Sequence, residues 1–252
     1  MSSATLNWGP PPPRPALEGG VHVWCAPLDP PAHVVGRYRA LLAVDEGARA
    51  DRFRFEQHRR QFVVARGVLR TLLGRYLSVD PRRLEFRYGS HGKPELAGAF
   101  AESGIRFNVS HSGELALYAV SRGRELGVDI EHVHPMDDGV DIAERFFSAA
   151  ENVVFRALAV SEREEAFFNC WTRKEAYIKA VGEGLSFPLH AFDVSLAPGE
   201  PARLLGARDE EQAARWTLRE LDPAPGYKAA LVVEGEGWET ECWSWDGHGP
   251  AW

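Results

Sequence analysis

The sequence contains no apolar run approaching the ~20 residues that a bilayer-spanning helix needs. Its first residues carry no basic segment ahead of an apolar core, so no secretory signal is read there. Cysteine is scarce: Cys25, Cys170 and Cys242 are odd in number and form no CxxC pair. That argues against a disulfide framework and suits a reducing compartment, so the expected location is the cytoplasm. Positive charge is in deficit, with 29 Lys and Arg against 36 Asp and Glu and a net charge of −7. A nucleic-acid binder draws its affinity from surplus cations meeting phosphates, so that class is set aside. A local basic site for a small anion stays open. Walker A and GxGxxG loops are missing, which removes P-loop and Rossmann nucleotide binding. There is no GxSxG elbow to present a hydrolase serine.

What is present is enough for a core. The chain has 252 residues, 44% of them hydrophobic and 26% charged, ordinary values for one large globular domain or two small ones. Gly9-Pro10-Pro11-Pro12-Pro13-Arg14-Pro15 can form neither helix nor ladder, so residues 1–20 read as an extended, poorly ordered lead. Strands are expected at 21–24, 84–88 and 107–110. Residues 48–77 read as one long helical region, with Phe62, Val63, Leu69, Leu72, Leu73 and Tyr76 near helical spacing. Residues 115–120 and 127–131 read as two strands joined in a hairpin by Ser121-Arg122-Gly123-Arg124. Helices are expected at 141–147, 149–160 and 161–181, the last stopped near Gly182 or Gly184. Strands follow at 192–196, 216–220 and 227–233, and the tail with Trp238, Trp243, Trp245 and Trp252 has no assignment.

A faint repeat runs through this order. Gly74, Leu77 and Ser78 echo Gly182, Leu185 and Ser186, while Gly113, Ala116 and Val120 echo Gly226, Ala229 and Val233. The expectation is an α+β fold of two similar halves, 21–124 and 125–240, followed by an unassigned tail at 241–252. A ligand would then sit between the halves.

Three short segments carry chemistry. In Gly127-Val128-Asp129-Ile130-Glu131, strand alternation sends Val128 and Ile130 to one face and both acids to the other. Such a pair is either a solvated strand face or an oxygen-ligand site for a hard cation such as magnesium. In Trp171-Thr172-Arg173-Lys174-Glu175-Ala176-Tyr177-Ile178-Lys179, helical spacing stacks Trp171, Glu175 and Lys179 on one face. Glu175 and Lys179 are then either an ordinary ion pair or part of a metal–phosphate site. Asn108-Val109-Ser110-His111-Ser112 presents hydroxyls and an imidazole at a strand end, as phosphate donors or as a polar cap. Lys93, in the Gly92-Lys93-Pro94 turn, is a further candidate for phosphate. His132 and His134 lack a third nitrogen or sulfur ligand at a recognised spacing.

Taken in order, Gly92-Lys93-Pro94, Asn108-Val109-Ser110-His111, Gly127-Val128-Asp129-Ile130-Glu131 and Trp171-x-x-Lys174-Glu175-Ala176-x-x-Lys179 resemble the 4′-phosphopantetheinyl transferases of the surfactin-activating type. The resemblance spans roughly residues 48–233. It implies a monomer of two pseudo-symmetric α+β halves with coenzyme A in the cleft between them. It implies Mg²⁺ on Asp129, Glu131 and Glu175, and catalytic roles for Glu175, Lys179 and Asp129. It places Lys93, Ser110, His111 and Lys174 on the coenzyme, with Arg49, Arg52, Arg60 and Arg66 toward its 3′-phosphate. The implied reaction moves phosphopantetheine to a serine of an apo acyl or peptidyl carrier protein and releases 3′,5′-ADP. Glu175, directly or through water, would take the serine proton, and Lys179 would serve the leaving phosphate. The alternatives are a magnesium-dependent hydrolase of a nucleotide diphosphate and an inactive module that binds coenzyme A or the carrier. No nucleic-acid or membrane partner is expected.

Overall fold

A computed structural model describes residues 8–10, 12, 15–90, 92–136, 138–184, 187–206, 210–245 and 247. Pro11, Pro13, Arg14, His91, Leu185, Ser186 and Trp252 lie outside the described residues. The first part of the chain runs through strand β1 (Val21–Pro27), short helices α1 (Ala32–Arg39) and α2 (Val44–Asp51), and the long helix α3 (Glu56–Leu77). A small ribbon of β2 (Phe86–Tyr88) and β3 (Pro94–Leu96) precedes the hairpin of β4 (Ile105–Ser112) and β5 (Leu115–Arg122). The second part repeats the plan: β6 (Leu126–His132), α4 (Gly139–Phe146), α5 (Ala149–Ala157) and the long α6 (Val160–Val181). A second ribbon, β7 (Asp193–Val194) with β8 (Leu204–Gly206), and a short α7 (Glu210–Ala214) lead to the hairpin of β9 (Trp216–Leu221) and β10 (Tyr227–Glu234). In both parts the last strand of the hairpin turns back to pair antiparallel with the first strand, β5 with β1 and β10 with β6. The fold is therefore α+β with an internal repeat.

Three hydrophobic clusters stack the layers. Val21, Val23, Leu117 and Ala119 of the first sheet meet Val128, Ile130, Leu231 and Val233 of the second. The outer face of the first sheet, with Trp24, Tyr118 and Val120, packs on Val64, Leu69 and Leu72 of α3. The outer face of the second, with Leu218, Ala230 and Val232, packs on Phe168, Ala176 and Ile178 of α6. Each fully buried aliphatic side chain in these layers contributes about 1.5–3 kcal/mol relative to exposure.

Four sequence expectations change. The helical region at 48–77 is broken between Asp51 and Glu56. The break lets Glu46 reach Arg70, 24 residues on, at 2.6 Å. A continuous helix would hold them about 36 Å apart. The segments at 115–120 and 127–131 do not form a hairpin, because β5 already lies between β1 and β4 and has no free edge for β6. The chain instead crosses to the other sheet at Ser121, whose hydroxyl donates to the Arg124 carbonyl at 2.6 Å. The repeat register also shifts: the left-handed caps are Ser78 for α3, at φ 54°, and Gly182 for α6, at φ 82°. Gly74 lies inside α3, where a β-carbon would come within 2.9 Å of the Val79 carbonyl. Finally, the tail forms β11 (Thr240–Ser244), parallel to β1 at the edge of the first sheet. Trp243 and Trp245 pack on Trp24, with ring centroids at 4.8 and 5.8 Å. Within the lead, Gly9 bridges Trp243 and the Trp8 indole donates to the Asp222 carbonyl.

Candidate active site

A cleft of about 810 Å³ opens where β4, β6, α4 and α6 meet. Its formation starts at Gly127. A β-carbon there would lie 2.2 Å from the Ala176 carbonyl and 2.3 Å from the Ala180 nitrogen, so only glycine lets α6 press onto β6. That contact brings the outward acids of β6 beside the face of α6 that carries Trp171, Glu175 and Lys179. In the second half of α6, from Trp171 to Ala180, these three are the positions left partly open while their neighbours are buried.

The polar floor is closely connected. Lys179 Nζ stands 2.5 Å from Asp129 Oδ1 and donates to Ser110 Oγ at 2.9 Å. Ser110 Oγ in turn donates to Asp129 Oδ1 at 2.7 Å. Lys179 thus pairs with the acid across the cleft rather than with Glu175 on its own helix. Ser112 Oγ donates to Glu131 Oε2 at 2.7 Å. Among the described residues, two buried carboxylate oxygens of the cleft, Asp129 Oδ2 and Glu175 Oε1, have no hydrogen-bond partner. Burial, reinforced by the Asp129 charge, pushes the Glu175 carboxyl up to about 7. Burial also raises Glu131, against the pull of the Ser112 hydrogen bond. The site therefore holds more negative charge than its own cations neutralise. Among the described residues, no group of three or more His, Cys, Asp or Glu side chains is drawn together closely enough to hold a metal ion unaided.

Residues 125–232 match the 4′-phosphopantetheinyl transferase superfamily, and residues 29–122 match the N-terminal region of 4′-phosphopantetheinyl transferase. The chain is 43% identical to the 4′-phosphopantetheinyl transferase HetI of a Nostoc species, over 94% of this chain and 98% of that one. It is 31% identical to a 4′-phosphopantetheinyl transferase of Bacillus subtilis, over 64% of this chain and 69% of the relative. It is 28% identical to the 4′-phosphopantetheinyl transferase Sfp of Bacillus subtilis, over 78% of this chain and 84% of the relative. The chain belongs to the 4′-phosphopantetheinyl transferase superfamily.

Of the residues singled out from the sequence of this transferase, seven share the cleft: Ser110, His111, Asp129, Glu131, Trp171, Glu175 and Lys179. His111 sits at the exposed rim, and desolvation of its inner side lowers its pKa. Lys93 lines a different cavity, with Arg87, Arg106 and Glu125. Its ammonium donates to the carbonyls of Lys179 at 2.8 Å and Leu126 at 3.1 Å, tying the end of α6 to the start of β6. Lys174 is fully buried on the far side of α6, paired with Glu151 at 2.8 Å and donating to the Leu189 and Phe192 carbonyls. The four arginines do not line the cleft. Arg49 lies over the Phe62 ring, Arg52 caps α2, Arg60 pairs with Asp29, and Arg66 is held by Glu46 and Tyr88.

Sequence reasoning missed the apolar wall: Phe146 from α4, and Phe187, Pro188 and Leu189 beyond α6. Phe146 meets Trp171 edge-on at 5.8 Å, so Trp171 on the Glu175 face was the one available pointer to it. Arg145 and His190 also line the cleft and had no sequence signal.

Proposed function

We propose that this transferase moves the 4′-phosphopantetheine of coenzyme A to a serine of an apo acyl or peptidyl carrier protein, releasing 3′,5′-ADP, with Mg²⁺ as its metal. The observation that carries the reading is the pair of partnerless buried oxygens, Asp129 Oδ2 and Glu175 Oε1, facing one cleft from two different elements. Buried carboxylate oxygens left unpaired cost several kcal/mol unless a cation meets them. An all-oxygen donor set of Asp129, Glu131 and Glu175 suits a hard cation, so the residues present fit Mg²⁺. When bound, the ion neutralises charge that develops on the pyrophosphate.

The protein's own groups do the rest. His111, at the exposed rim, offers a hydrogen bond to a phosphate oxygen at the mouth, while Ser110, whose proton goes to Asp129, holds the floor beneath it. The apolar wall of Phe146, Trp171 and Leu189 receives the uncharged pantetheine arm and keeps water from the phosphorus. The carrier serine Oγ bonds to the pantetheine-side phosphorus as the P–O bond to the ADP leaving group breaks. The serine proton passes to Glu175, and Lys179 stabilises the departing phosphate. We also propose that the units 21–124 and 125–240 are the two halves between which coenzyme A binds, that the chain works as a monomer, and that it works in the cytoplasm.

The test is incubation with coenzyme A, Mg²⁺ and a panel of apo carrier proteins, read by intact mass. A carrier gaining one phosphopantetheine, only with Mg²⁺ present, supports the reading. Cleavage of coenzyme A at the same rate without any carrier would replace it with a hydrolase.

A further inference from the structure

We infer that Ser112 is a positioning residue that aims Glu131 into the cleft, acting through that carboxylate without touching substrate. The inference rests on the reading of Asp129, Glu131 and Glu175 as cation ligands.

Strands β4 and β6 are edges of two different sheets, and no backbone ladder joins them. One face of β4 does the joining with side chains. Asn108 Oδ1 accepts from the Val128 N–H at 2.9 Å. Ser110 Oγ donates to Asp129 at 2.7 Å. Ser112 Oγ donates to Glu131 Oε2 at 2.7 Å and accepts from the His132 N–H at 3.1 Å. Residues 108, 110 and 112 share a face because strand side chains alternate, and so do 129 and 131. The two serines of Ser110-His111-Ser112 therefore each hold one acid of Asp129-x-Glu131.

The two acids are not held equally. Asp129 has Lys179 as well as Ser110. Among the described residues, the Glu131 carboxylate has Ser112 alone. Glu131 has one more rotatable bond than Asp129, so its direction depends more on a fixed donor. That donor is fixed. Ser112 precedes Gly113 at φ 56°, where a β-carbon would meet the Tyr227 hydroxyl at 2.7 Å. The Glu114 N–H donates to the same hydroxyl at 3.1 Å, and Gln61 Nε2 donates to the Gly113 carbonyl at 3.0 Å. The strand end cannot slide, and the hydroxyl is delivered to one place.

The test compares wild type with Ser112→Ala, Ser112→Thr, Ser112→Cys and Glu131→Gln. Mn²⁺ binding is followed by the electron paramagnetic resonance of the free ion, with coenzyme A present and no carrier. Carrier transfer is followed as a function of Mg²⁺, and thermal midpoints are recorded. Groups that orient metal ligands typically alter affinity 10–100-fold, so Ser112→Ala is expected to weaken Mn²⁺ at least about tenfold. The Mg²⁺ needed for half-maximal transfer rises by the same factor, while turnover at saturating Mg²⁺ is largely retained. Ser112→Thr keeps the hydroxyl and restores both values. Adding Ser112→Ala to Glu131→Gln brings little further loss. If Ser112→Ala does not fold, Ser112→Cys, with a weaker donor of similar size, should show the same weakening. Unchanged Mn²⁺ affinity in the folded variant, or a threonine variant no better than alanine, overturns the inference. A wild type that binds no Mn²⁺ and transfers without Mg²⁺ overturns the cation reading itself, a different result from a silent Ser112.

Discussion

The Lys174 ammonium lies 2.8 Å from the Glu151 carboxylate, and neither side chain has appreciable contact with solvent. Glu151 also accepts from the Ser148 and Val194 N–H groups, so the pair ties α5, α6 and β7 together. The other half of the molecule repeats the device: Glu46 of α2 meets Arg70 of α3 at 2.6 Å and accepts from the Ala43 N–H. In both, the cation reaches on to two carbonyls beyond its own helix. Removing one partner of a buried pair leaves a charge without compensation and costs about 3–5 kcal/mol. Lys174→Met should therefore lower the unfolding free energy by that order, seen as a lower urea midpoint with an unchanged m-value, while its folded fraction binds coenzyme A normally. Wild-type stability with lost coenzyme binding would return Lys174 to the ligand set.

Gly127→Ala tests how α6 is seated. The new methyl would sit 2.2 Å from the Ala176 carbonyl, a backbone atom that cannot swing aside. Relief requires α6 to lift from β6, which separates Glu175 and Lys179 from Asp129. The expected result is a stability loss of about 1–3 kcal/mol, typical of overpacking, with transfer to carrier falling at least tenfold in the protein that stays folded. Full transfer in a destabilised but folded variant would show that the cleft does not depend on this contact.

Periodicity made the two central motifs legible. Strand alternation separated Val128 and Ile130 from Asp129 and Glu131, and helical spacing put Trp171, Glu175 and Lys179 on one face; the structure has both arrangements. What spacing could not supply was the partner across the fold. Lys179 pairs with Asp129, 50 residues away, rather than with Glu175 one turn off. Lys174 and Glu175 are adjacent in sequence but about 100° apart around the helix, enough to send one to the core and the other to the cleft. The segment 121–124 looked like a hairpin because local sequence shows a turn without showing that β5 already has two neighbours. Arg60 and Arg66 looked available because a sequence does not show which carboxylate each will meet.

Acid should find a weak point at His22. Its ring is buried, with Nδ1 2.8 Å from the Tyr76 hydroxyl, which also accepts from the Trp24 indole. Burial holds its pKa down to about 4, from 6.5. Glu241 lies 3.5 Å from Nε2, but its side chain is 61% exposed and its attraction is screened, so burial decides. The unfolded chain thus binds a proton near pH 6.5 that the native state refuses until about pH 4. Stability is fully present above the higher value and is lost as pH falls through this window, by up to about 3 kcal/mol. Urea unfolding of wild type and His22→Gln between pH 7.5 and 4 measures the difference. Parallel pH profiles would remove His22 as the cause.

Glu175→Gln and Lys179→Ala probe the cleft from opposite charges. The glutamine keeps the shape of Glu175 but removes its negative charge and its capacity to take the serine proton. General-base assistance is worth about 10²–10⁴-fold, so transfer to carrier should fall by at least the lower figure. Lys179→Ala removes the cation 2.5 Å from Asp129 and the donor to Ser110. It should lower turnover as strongly, through loss of charge stabilisation at the leaving phosphate. The two variants should differ in stability. Glu175→Gln removes the charge behind the buried, partnerless Oε1 and should unfold at the same or higher urea than wild type. Lys179→Ala strips compensation from the buried Asp129 and should unfold at lower urea. Turnover near wild type in both variants would take Glu175 and Lys179 out of the chemistry, whatever their stabilities.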